Sequence, residues 1–246
     1  MDAIPIVAFD ELDSTNAEAR RRAEAGEAGP LWITASRQSA GRGRRGRTWE
    51  TGEGNLAATF LFSTPKPPAQ AAQVSFVAAL AAADLARAYV PSLLVSLKWP
   101  NDTLIDGRKA AGILVESGQA AGGALWIAVG LGVNLATPPR AADRPATAFA
   151  EHMRAPPPAP LEALTLLAAA FARWRDLWER LGFAPIAEAW TAGAYGLGEP
   201  CTARLAAETV EGVAEGLDAD GALRLRTAAG AVRRITAGDV FFEPRF

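Results

Sequence analysis

The sequence has very few of the residues from which disulfides, metal sites and catalytic triads are made. It contains one cysteine, Cys201, and one histidine, His152, in 246 residues. A single thiol excludes an internal disulfide and a zinc site built from several cysteines, and it favours a reducing cytoplasm. A single histidine excludes a metal site with paired histidines and argues against a Ser-His-Asp triad. We therefore assign no metal ligand from the sequence.

Long apolar runs and a strong excess of one charge are also missing. The runs at 125–135 and 164–171 are well short of the ~18 residues of a membrane span, and the first residues lack the basic and apolar parts of a signal peptide. With 25 basic and 27 acidic residues, the net charge is −2, so the whole molecule has no general attraction for nucleic acid. We expect a cytoplasmic protein with no membrane or nucleic-acid partner.

Lysine is scarce as well. The 25 basic residues include three lysines, Lys66, Lys98 and Lys109, and the other 22 are arginines. Two of these lysines lie in the neighbouring segments 98–102 (KWPND) and 107–109 (GRK). Arginine cannot replace lysine where a compact ammonium must sit at one point. Two interpretations stay open at this stage: a site that requires ammonium groups here, and chance combined with turn propensity.

Hydrophobic periodicity predicts an α+β fold. Strands are predicted at 4–9, 31–35, 55–62, 95–99, 111–116 and 125–135, and helices at 15–22, 70–89, 161–181 and 185–190. Thr15 with Glu18 fits a capping box at the start of the first helix. Short strands follow at 201–205, 211–217, 222–226, 232–235 and 240–242, with a hairpin turn at 218–221. We expect a domain at 1–195 with an antiparallel or mixed sheet, and a small separate β-barrel at 196–246.

The segment 41–47 (GRGRRGR) is the strongest local motif. It contains the GxGxxG pattern of dinucleotide-binding folds, but no helix can begin in residues 48–54, as that motif requires. Four arginines remain on a glycine-rich loop, which can close over a polyphosphate because each guanidinium offers bidentate donors. A nucleic-acid-binding patch and a solvated charged loop are the alternatives. The net charge and the position of the loop between two strands disfavour nucleic acid.

The two lysine-containing segments predict a charged hairpin. A strand that ends at Lys98, followed by Trp and Pro, places Asn101 and Asp102 in a turn, exposed at the rim of the sheet. The turn at 107–108 then returns the chain, so that Lys109 enters the next strand close by. Two ammonium groups and a carboxylate are therefore expected at one edge, either as a site or as a charged surface hairpin.

Two further segments carry polar residues at informative places. Asn134 follows two glycines in the apolar run 129–135, where glycine permits the close approach of a ligand or of a neighbouring backbone. Its side chain is either a buried structural amide or a ligand donor. The run 14–16 (STN) is equally consistent with helix capping and with ligand binding.

In this combination the motifs resemble the biotin–protein ligase family, in its form without an N-terminal DNA-binding domain. The resemblance is carried by 14–16 (STN), 38–49 (QxxGRGRRGRxW), 98–102 (KWPND), 108–116 (RKxxGILVE) and 130–134 (GxGxN). These motifs occur in the family's order over residues from about 10 to 135, and their combination is highly specific. The resemblance implies a mixed sheet flanked by helices, like that of class II aminoacyl-tRNA synthetases, followed by an SH3-like β-barrel.

The resemblance also implies an activity and its residues. The enzyme would activate biotin with ATP and Mg²⁺ to biotinyl-5′-AMP and transfer biotin to a lysine of a biotin carboxyl carrier protein domain. Its catalytic residues would be Arg44 and Lys109. The biotin-binding residues would be Ser14, Thr15, Asn16, Gln38, Arg42, Gly43, Arg44, Lys109 and Gly112. The ATP- or adenylate-binding residues would be Arg44, Arg47, Trp49, Lys98, Asn101, Asp102, Lys109 and Asn134.

The sequence departs from this family in places and leaves alternatives. Ser39 stands where a second glutamine is common, and residues 136–154, where an adenine-covering loop is expected, have no recognisable signature. A lipoate or octanoate ligase or transferase of the same fold and a non-enzymatic RNA-binding module are the alternatives. A DNA-binding version would need an N-terminal winged helix, for which the residues before Ser14 leave no room. We expect a monomer or homodimer, and a loop at 38–54 that is mobile until ligand binds.

Overall fold

A seven-stranded mixed sheet forms the larger part of the fold. The computed structural model describes residues 4–27, 29–119, 123–139 and 145–242. The strands are β1 (Ile6–Leu12), β2 (Leu31–Gln38), β3 (Leu56–Thr64), β4 (Val95–Lys98), β5 (Asp102–Ile105), β6 (Arg108–Gln119) and β7 (Leu125–Val133). Their order is β1-β2-β3-β7-β6-β5-β4, with β1 and β2 parallel and the other neighbours antiparallel. The predicted mixed sheet is confirmed.

Helices cover both faces of this sheet. They are α1 (Thr15–Glu24), α2 (Pro68–Ala71), α3 (Val74–Arg87), α4 (Pro160–Leu181) and α5 (Ala184–Ala192). Because consecutive strand residues point to opposite faces, Ile33 packs with Ala19 of α1, whereas Trp32 packs with Phe171 of α4. The sheet therefore separates a small core under α1 from a larger core under α3 and α4.

The alanine-rich helix α3 is the centre of the larger core. The helix predicted over 70–89 is in fact two helices, α2 and α3, because the hydrogen bonds around Gln73 run to the third residue back, as from Gln73 N to Gln70 O at 3.0 Å. The buried side chain of Gln73 accepts a hydrogen bond of 3.1 Å from Trp178 Nε1. The segment Pro68–Arg87 is long and apolar enough to cross a membrane by length and composition, but 72% of that window is buried. Its apolar character is accounted for by its place in the core.

Two local expectations are corrected by the structure. Ser14 is the N-cap residue of α1 and Thr15 its first helical residue, so the predicted capping box is wrong; Glu18 pairs with Arg21 and Arg22 instead. The strand β5 was not predicted, because it follows directly on the turn at 99–101 and its first residue, Asp102, was assigned to that turn.

A smaller antiparallel sheet follows α5. Its strands are β8 (Pro200–Arg204), β9 (Thr209–Leu217), β10 (Leu223–Arg226), β11 (Val232–Ile235) and β12 (Asp239–Phe242), in the order β11-β10-β9-β8-β12. The five predicted strands and the hairpin turn at 218–221 are confirmed. Within the described residues β11 and β12 are the two edges of the sheet, so its closure into a barrel stays a prediction.

The smaller sheet shares a core with the larger one. Trp99 Nε1 donates a hydrogen bond of 3.1 Å to the carbonyl of Gly221, at the tip of the hairpin between β9 and β10. Gly221 lies directly against the rings of Phe76 and Phe183. Apolar residues of the smaller sheet, such as Leu223, belong to the same buried cluster as α3. The two sheets are thus packed together, and the division into domains at 1–195 and 196–246 stays a prediction.

Candidate active site

One cavity brings together most of the residues that the sequence indicated. It has a volume of about 860 Å³ and lies between the loop 38–54 and the strands β5, β6 and β7. The predicted site residues that line it are Ser14, Thr15, Asn16, Gln38, Arg42, Gly43, Arg44, Arg47, Trp49, Asn101, Asp102, Lys109, Gly112 and Asn134. Segments from 14 to 134 therefore meet at one place, as the resemblance implies.

Lys98 is the exception among the predicted site residues. It ends the edge strand β4, and its Nζ lies 5.9 Å from the ring centroid of Phe241 in β12. An aromatic face attracts an ammonium group, so Lys98 contacts the smaller sheet and does not line the described wall of the cavity. Lys98 is also paired with Asp102 in the β4–β5 ladder. The expectation that the two ammonium groups meet at one edge stays a prediction, as does the adenylate-binding role of Lys98.

The end of the cavity at α1 is a network of neutral polar groups. The backbone N–H of Thr15 donates a hydrogen bond of 2.8 Å to Gln38 Oε1, and Gln38 Nε2 donates one of 3.0 Å to Thr51 Oγ1. Thr59 Oγ1, fully buried in β3, lies 2.7 Å from Asn16 Oδ1 and 2.8 Å from Thr15 Oγ1. The sequence indicated neither Thr51 nor Thr59; the one available signal was a hydroxyl within the apolar strand 55–62.

The glycines of β6 and β7 make room for side chains of the site. A Cβ at Gly130 would collide with the amide of Asn16, and one at Gly132 would collide with the indole of Trp49. Gly112, which is paired with Gly132 in the β6–β7 ladder, lies against another part of the same indole. The sequence predicted close approach by a ligand or a backbone; the structure shows that side chains from α1 and the loop 38–54 approach instead.

Lys109 and Asp102 form an ion pair in the wall of the cavity. Lys109 Nζ lies 2.5 Å from Asp102 Oδ1 and 5.5 Å from the ring centroid of Trp49. Asp102 is only 6% exposed, so its predicted exposure at the rim is wrong, because the residue begins β5 and pairs with Gly112 of β6. Backbone hydrogen bonds of 2.9 Å from Lys109 N to Pro145 O and from Thr147 N to Lys109 O fix the lysine on both sides.

The arginine loop faces the cavity and the smaller sheet at the same time. Arg44 Nη1 donates to Asn101 Oδ1 at 3.3 Å and to Gly238 O at 3.4 Å. Burial lowers the pKa of the Arg44 guanidinium, and the charge of Asp239 opposes this shift. Arg47 Nη2 lies 2.7 Å from both carboxylate oxygens of Asp239. Asp239 is a cavity residue that the sequence did not reveal.

Asn134 has a structural role in addition to its place in the wall. It is 1% exposed, and its Nδ2 donates a hydrogen bond of 3.0 Å to Thr147 O. This bond holds the residues next to Lys109 against the end of β7. The reading of Asn134 as a buried structural amide is therefore confirmed, and its contact with a nucleotide stays a prediction.

The composition of the cavity suits the binding of anions better than nucleophilic or metal catalysis. Arginines and Lys109 line one end, while hydroxyls and amides line the other. Cys201 is buried in β8, away from the cavity, and burial raises its thiol pKa to about 11, which suppresses its nucleophilicity. Among the described residues, no group of three or more His, Cys, Asp or Glu could hold a metal.

Comparison with protein families decides the affiliation of the chain. The model of the "Biotin/lipoate A/B protein ligase family" matches residues 8–134, and the model "Biotin protein ligase C terminal domain" matches residues 196–243. The chain belongs to the biotin/lipoate A/B protein ligase family. The first match spans the motifs from 14–16 to 130–134, and the second spans the smaller sheet.

Individual members of this family resemble the chain over nearly its whole length. It is 47% identical to the biotin–[acetyl-CoA-carboxylase] ligase of Paracoccus denitrificans over 237 residues, which are 94% of this chain and 97% of that protein. It is 31% identical to the bifunctional ligase/repressor BirA of Escherichia coli, over 92% of this chain and 70% of that protein. The structure of the biotin protein ligase of Aquifex aeolicus with biotin and ATP superposes with a TM-score of 0.79 at 25% identity, covering 98% of this chain and 99% of that one.

Proposed function

We propose that the chain activates biotin with ATP to form biotinyl-5′-AMP and transfers the biotinyl group to a lysine of a biotin carboxyl carrier protein domain, that of acetyl-CoA carboxylase or a related carboxylase. The observation that carries this proposal is the single cavity in which the arginine loop, Lys109 and the polar start of α1 meet. The near full-length similarity to a biotin–[acetyl-CoA-carboxylase] ligase supports the choice of biotin over lipoate or octanoate.

Biotin is proposed to bind at the α1 end of the cavity. Its ureido ring offers one carbonyl acceptor and two N–H donors, and the hydroxyls of Ser14 and Thr15 and the amide of Gln38 can complement both kinds of group. The backbone at Arg42 and Gly43 adds further polar groups from the loop. The valeryl carboxylate then points toward Lys109 and Arg44, which are at the cationic end.

Charge neutralisation is the main requirement of the first step. The biotin carboxylate attacks the α-phosphorus of ATP, and pyrophosphate leaves. Two unit charges about 4 Å apart repel each other by about 4 kcal/mol at an effective dielectric constant of about 20. Arg44, Arg47 and Lys109 are the cations placed to cancel this repulsion, so the step needs positioning and positive charge rather than an enzyme nucleophile.

Mg²⁺ is proposed to accompany ATP as part of the substrate. Asp102 and Asp239 in the cavity wall are already paired with cations, so we assign the metal ion to phosphate oxygens rather than to a cage of protein ligands. Trp49, Asn101 and Asn134 are proposed to contact the nucleotide.

The second step transfers biotin to the carrier. The lysine amine of the carrier attacks the carbonyl of the mixed anhydride, and AMP leaves. Closure of the loop 38–54 over the adenylate would exclude water until the carrier docks. We further propose that residues 1–195 carry this chemistry, that 196–246 form a second domain, and that the protein acts in the cytoplasm as a monomer or homodimer without a nucleic-acid or membrane partner.

Exchange of labelled pyrophosphate into ATP tests the proposed function. The purified chain is assayed with biotin, lipoate, octanoate or no acid, and transfer is then followed as a mass increase of a carrier domain. We expect exchange in the reaction with biotin and none in the reactions with lipoate, octanoate or no acid. Exchange without biotin, or only with lipoate or octanoate, would contradict the proposal, and salt-dependent RNA binding without pyrophosphate release would favour a binding module.

A further inference from the structure

The start of β12 contacts the arginine loop through one carboxylate. Asp239 Oδ2 lies 2.7 Å from Arg47 Nη2 and 3.1 Å from Arg45 Nη1. The neighbouring carbonyl of Gly238 accepts from Arg44 Nη1 at 3.4 Å. Three arginines of the loop, Arg44, Arg45 and Arg47, are therefore held at the edge of the smaller sheet.

The ion pairs of Asp239 counteract two unfavourable features of the loop, the backbone conformation of Arg45 and the repulsion among the arginines. Arg45 has a positive φ of 58°, which residues other than glycine rarely adopt. Its guanidinium bonds Asp239 and, at 3.4 Å, the carbonyl of Arg204 in β8. Burial and the charges of Arg45 and Arg47 lower the pKa of Arg44, whereas the charges of Asp239 and Asp102 raise it. A single carboxylate thus balances part of the positive charge of the loop.

The carboxylate is itself firmly placed. Asp239 is paired with Arg204 in the β8–β12 ladder, and its side chain is 14% exposed. The smaller sheet is anchored on the larger one through the bond from Trp99 to Gly221. Asp239 therefore connects the position of the smaller sheet to the position of the loop that lines the cavity.

We propose that Asp239 is a positioning residue for ATP: the smaller sheet uses this carboxylate to hold Arg45 and Arg47 so that the loop presents its cations to the triphosphate. A guanidinium has five N–H donors, so Arg47 can bond Asp239 and phosphate oxygens together. This inference rests on the proposed function, because it concerns the ATP end of the same cavity.

The test compares Asp239→Asn with the parent protein in two assays. Asparagine keeps the shape of the side chain and loses the charge. In limited trypsin digestion without ligand, we expect cleavage after Arg42, Arg44, Arg45 and Arg47 to become several-fold faster. In biotin-dependent pyrophosphate exchange, we expect the KM for ATP to rise about tenfold, with the KM for biotin and the melting temperature close to parent values. Asp239→Glu should restore part of the ATP affinity.

Glu208→Gln is the matched control. Glu208, between β8 and β9, pairs with Arg233 of β11 at 2.6 Å and does not line the described cavity wall, so this variant should match the parent in both assays. Arg45→Gln removes the contact from the loop side and keeps every acidic residue of the sheet. It should accelerate cleavage after Arg42, Arg44 and Arg47 and raise the KM for ATP, and its effect should not add to that of Asp239→Asn.

The outcomes separate this inference from the proposed function. If the parent exchanges pyrophosphate and Asp239→Asn or a folded Arg45→Gln variant leaves the cleavage rate and the KM for ATP unchanged, the positioning role is refuted and the ligase function stands. A lower melting temperature with an unchanged KM for ATP would also refute it, because that pattern indicates a purely structural ion pair. A parent without biotin-dependent exchange would overturn both.

Discussion

Lys109 makes contacts in the cavity wall that depend on the compactness of its ammonium group. Its Nζ lies 2.5 Å from Asp102 Oδ1 and above the ring of Trp49, and its terminal atoms pass close to Gly112. A planar guanidinium is bulkier and spreads its charge over three nitrogens. The retention of lysine here, in a chain with 22 arginines, is thus consistent with a site that needs one point charge.

We predict that Lys109→Arg abolishes most biotinyl-AMP formation and leaves the fold intact. The loss should be about 2–4 kcal/mol, roughly 30- to 1000-fold, as is typical for the removal of one donor from a preorganised site. It should affect mainly the rate of adenylate formation, because charge is redistributed between carboxylate and phosphate in the transition state. Single-turnover formation of biotinyl-AMP and a melting curve are the measurements.

The control for this substitution is Lys66→Arg. The ammonium of Lys66 lies over the ring of Trp178, 4.8 Å from its centroid, and Lys66 does not line the described cavity wall. If both lysine variants behave like the parent, the interpretation of lysine scarcity fails and Lys109 is not catalytic.

At the scale of the element, the N-terminus of α1 is held in place by Asp13 rather than by a capping box. Arg21 donates two hydrogen bonds of 2.8 and 2.9 Å to the carboxylate of Asp13, which also accepts one of 2.7 Å from the N–H of Ser14. The hydrogen bonds from Arg21 are the main reason why the pKa of Asp13 falls to about 2. This arrangement orients the turn that presents Ser14 and Thr15 to the cavity.

We predict that Asp13→Asn destabilises the protein by up to about 1 kcal/mol at pH 7, because the pair is half exposed and screened by solvent. A carboxyl with a lowered pKa stabilises the fold above its unfolded-state value of 3.8 and loses this effect as the pH falls toward about 2. The difference between variant and parent in urea unfolding should therefore shrink below about pH 4.5. Asp176→Asn, in an exposed pair on α4, should show no such difference; a gap that stays constant down to pH 2.5 would contradict the explanation.

The loop 38–54 is the element whose behaviour should change most on binding. It contains a short 3₁₀ turn at Arg44–Gly46, and its charge is balanced in part by Asp239. Glycines make the loop entropically costly to order, and the arginines repel one another until an anion arrives. We predict that biotin with ATP protects it against trypsin, as followed by mass spectrometry of the fragments. Equal cleavage rates with and without both ligands would count against an ordering loop.

At the scale of the whole molecule, Trp99 has a different role from its neighbours in the motif 98–102. Asn101 and Asp102 line the cavity, whereas Trp99 is buried and bonds the hairpin tip of the smaller sheet through Gly221. The motif thus joins the site to the second sheet. The position of Asp239 depends on that sheet. The bond from Trp99 to Gly221 therefore also affects the ion pair between Asp239 and Arg47.

We predict that Trp99→Phe lowers both stability and ATP affinity. Loss of the indole N–H leaves the Gly221 carbonyl without this donor and should cost about 1–3 kcal/mol, a fall in melting temperature of roughly 2–4 °C per kcal/mol. The KM for ATP should rise as well. Trp178→Phe removes a comparable bond from α4 to Gln73, the residue before α3, and should lower stability while the KM for ATP stays at the parent value. If Trp99→Phe also leaves the KM for ATP at the parent value, the link between the sheets is not functional.

The net charge of −2 predicts that the molecule as a whole does not bind a specific DNA sequence. The bifunctional ligase/repressor BirA of Escherichia coli matches this chain over 70% of that protein's length. Fluorescence anisotropy with operator-like and random duplexes at physiological salt is the measurement, and both should bind equally weakly. Nanomolar affinity for one defined sequence would refute the prediction.

The sequence alone determined the strands, the helices and the membership of most site residues, because these features are written in local patterns. Residues of the motifs 14–16, 38–49, 98–102 and 130–134 line the cavity. Alternation and helical spacing located most elements, and β5 was missed because its first residue, Asp102, was assigned to the preceding turn.

Only the tertiary structure decided which side chains meet across distant segments. Asp239 is 192 positions from Arg47 and carries no local signal, yet it is the carboxylate that balances the loop. The burial of Asp102, the turn of Lys98 toward Phe241 and the bond from Trp99 to Gly221 likewise depend on how the second sheet packs on the first. The physical reason is that periodicity and turn propensity report the interactions of near neighbours in the chain, whereas counter-ions, desolvation and interlocking aromatic contacts arise between surfaces that the folded core brings together.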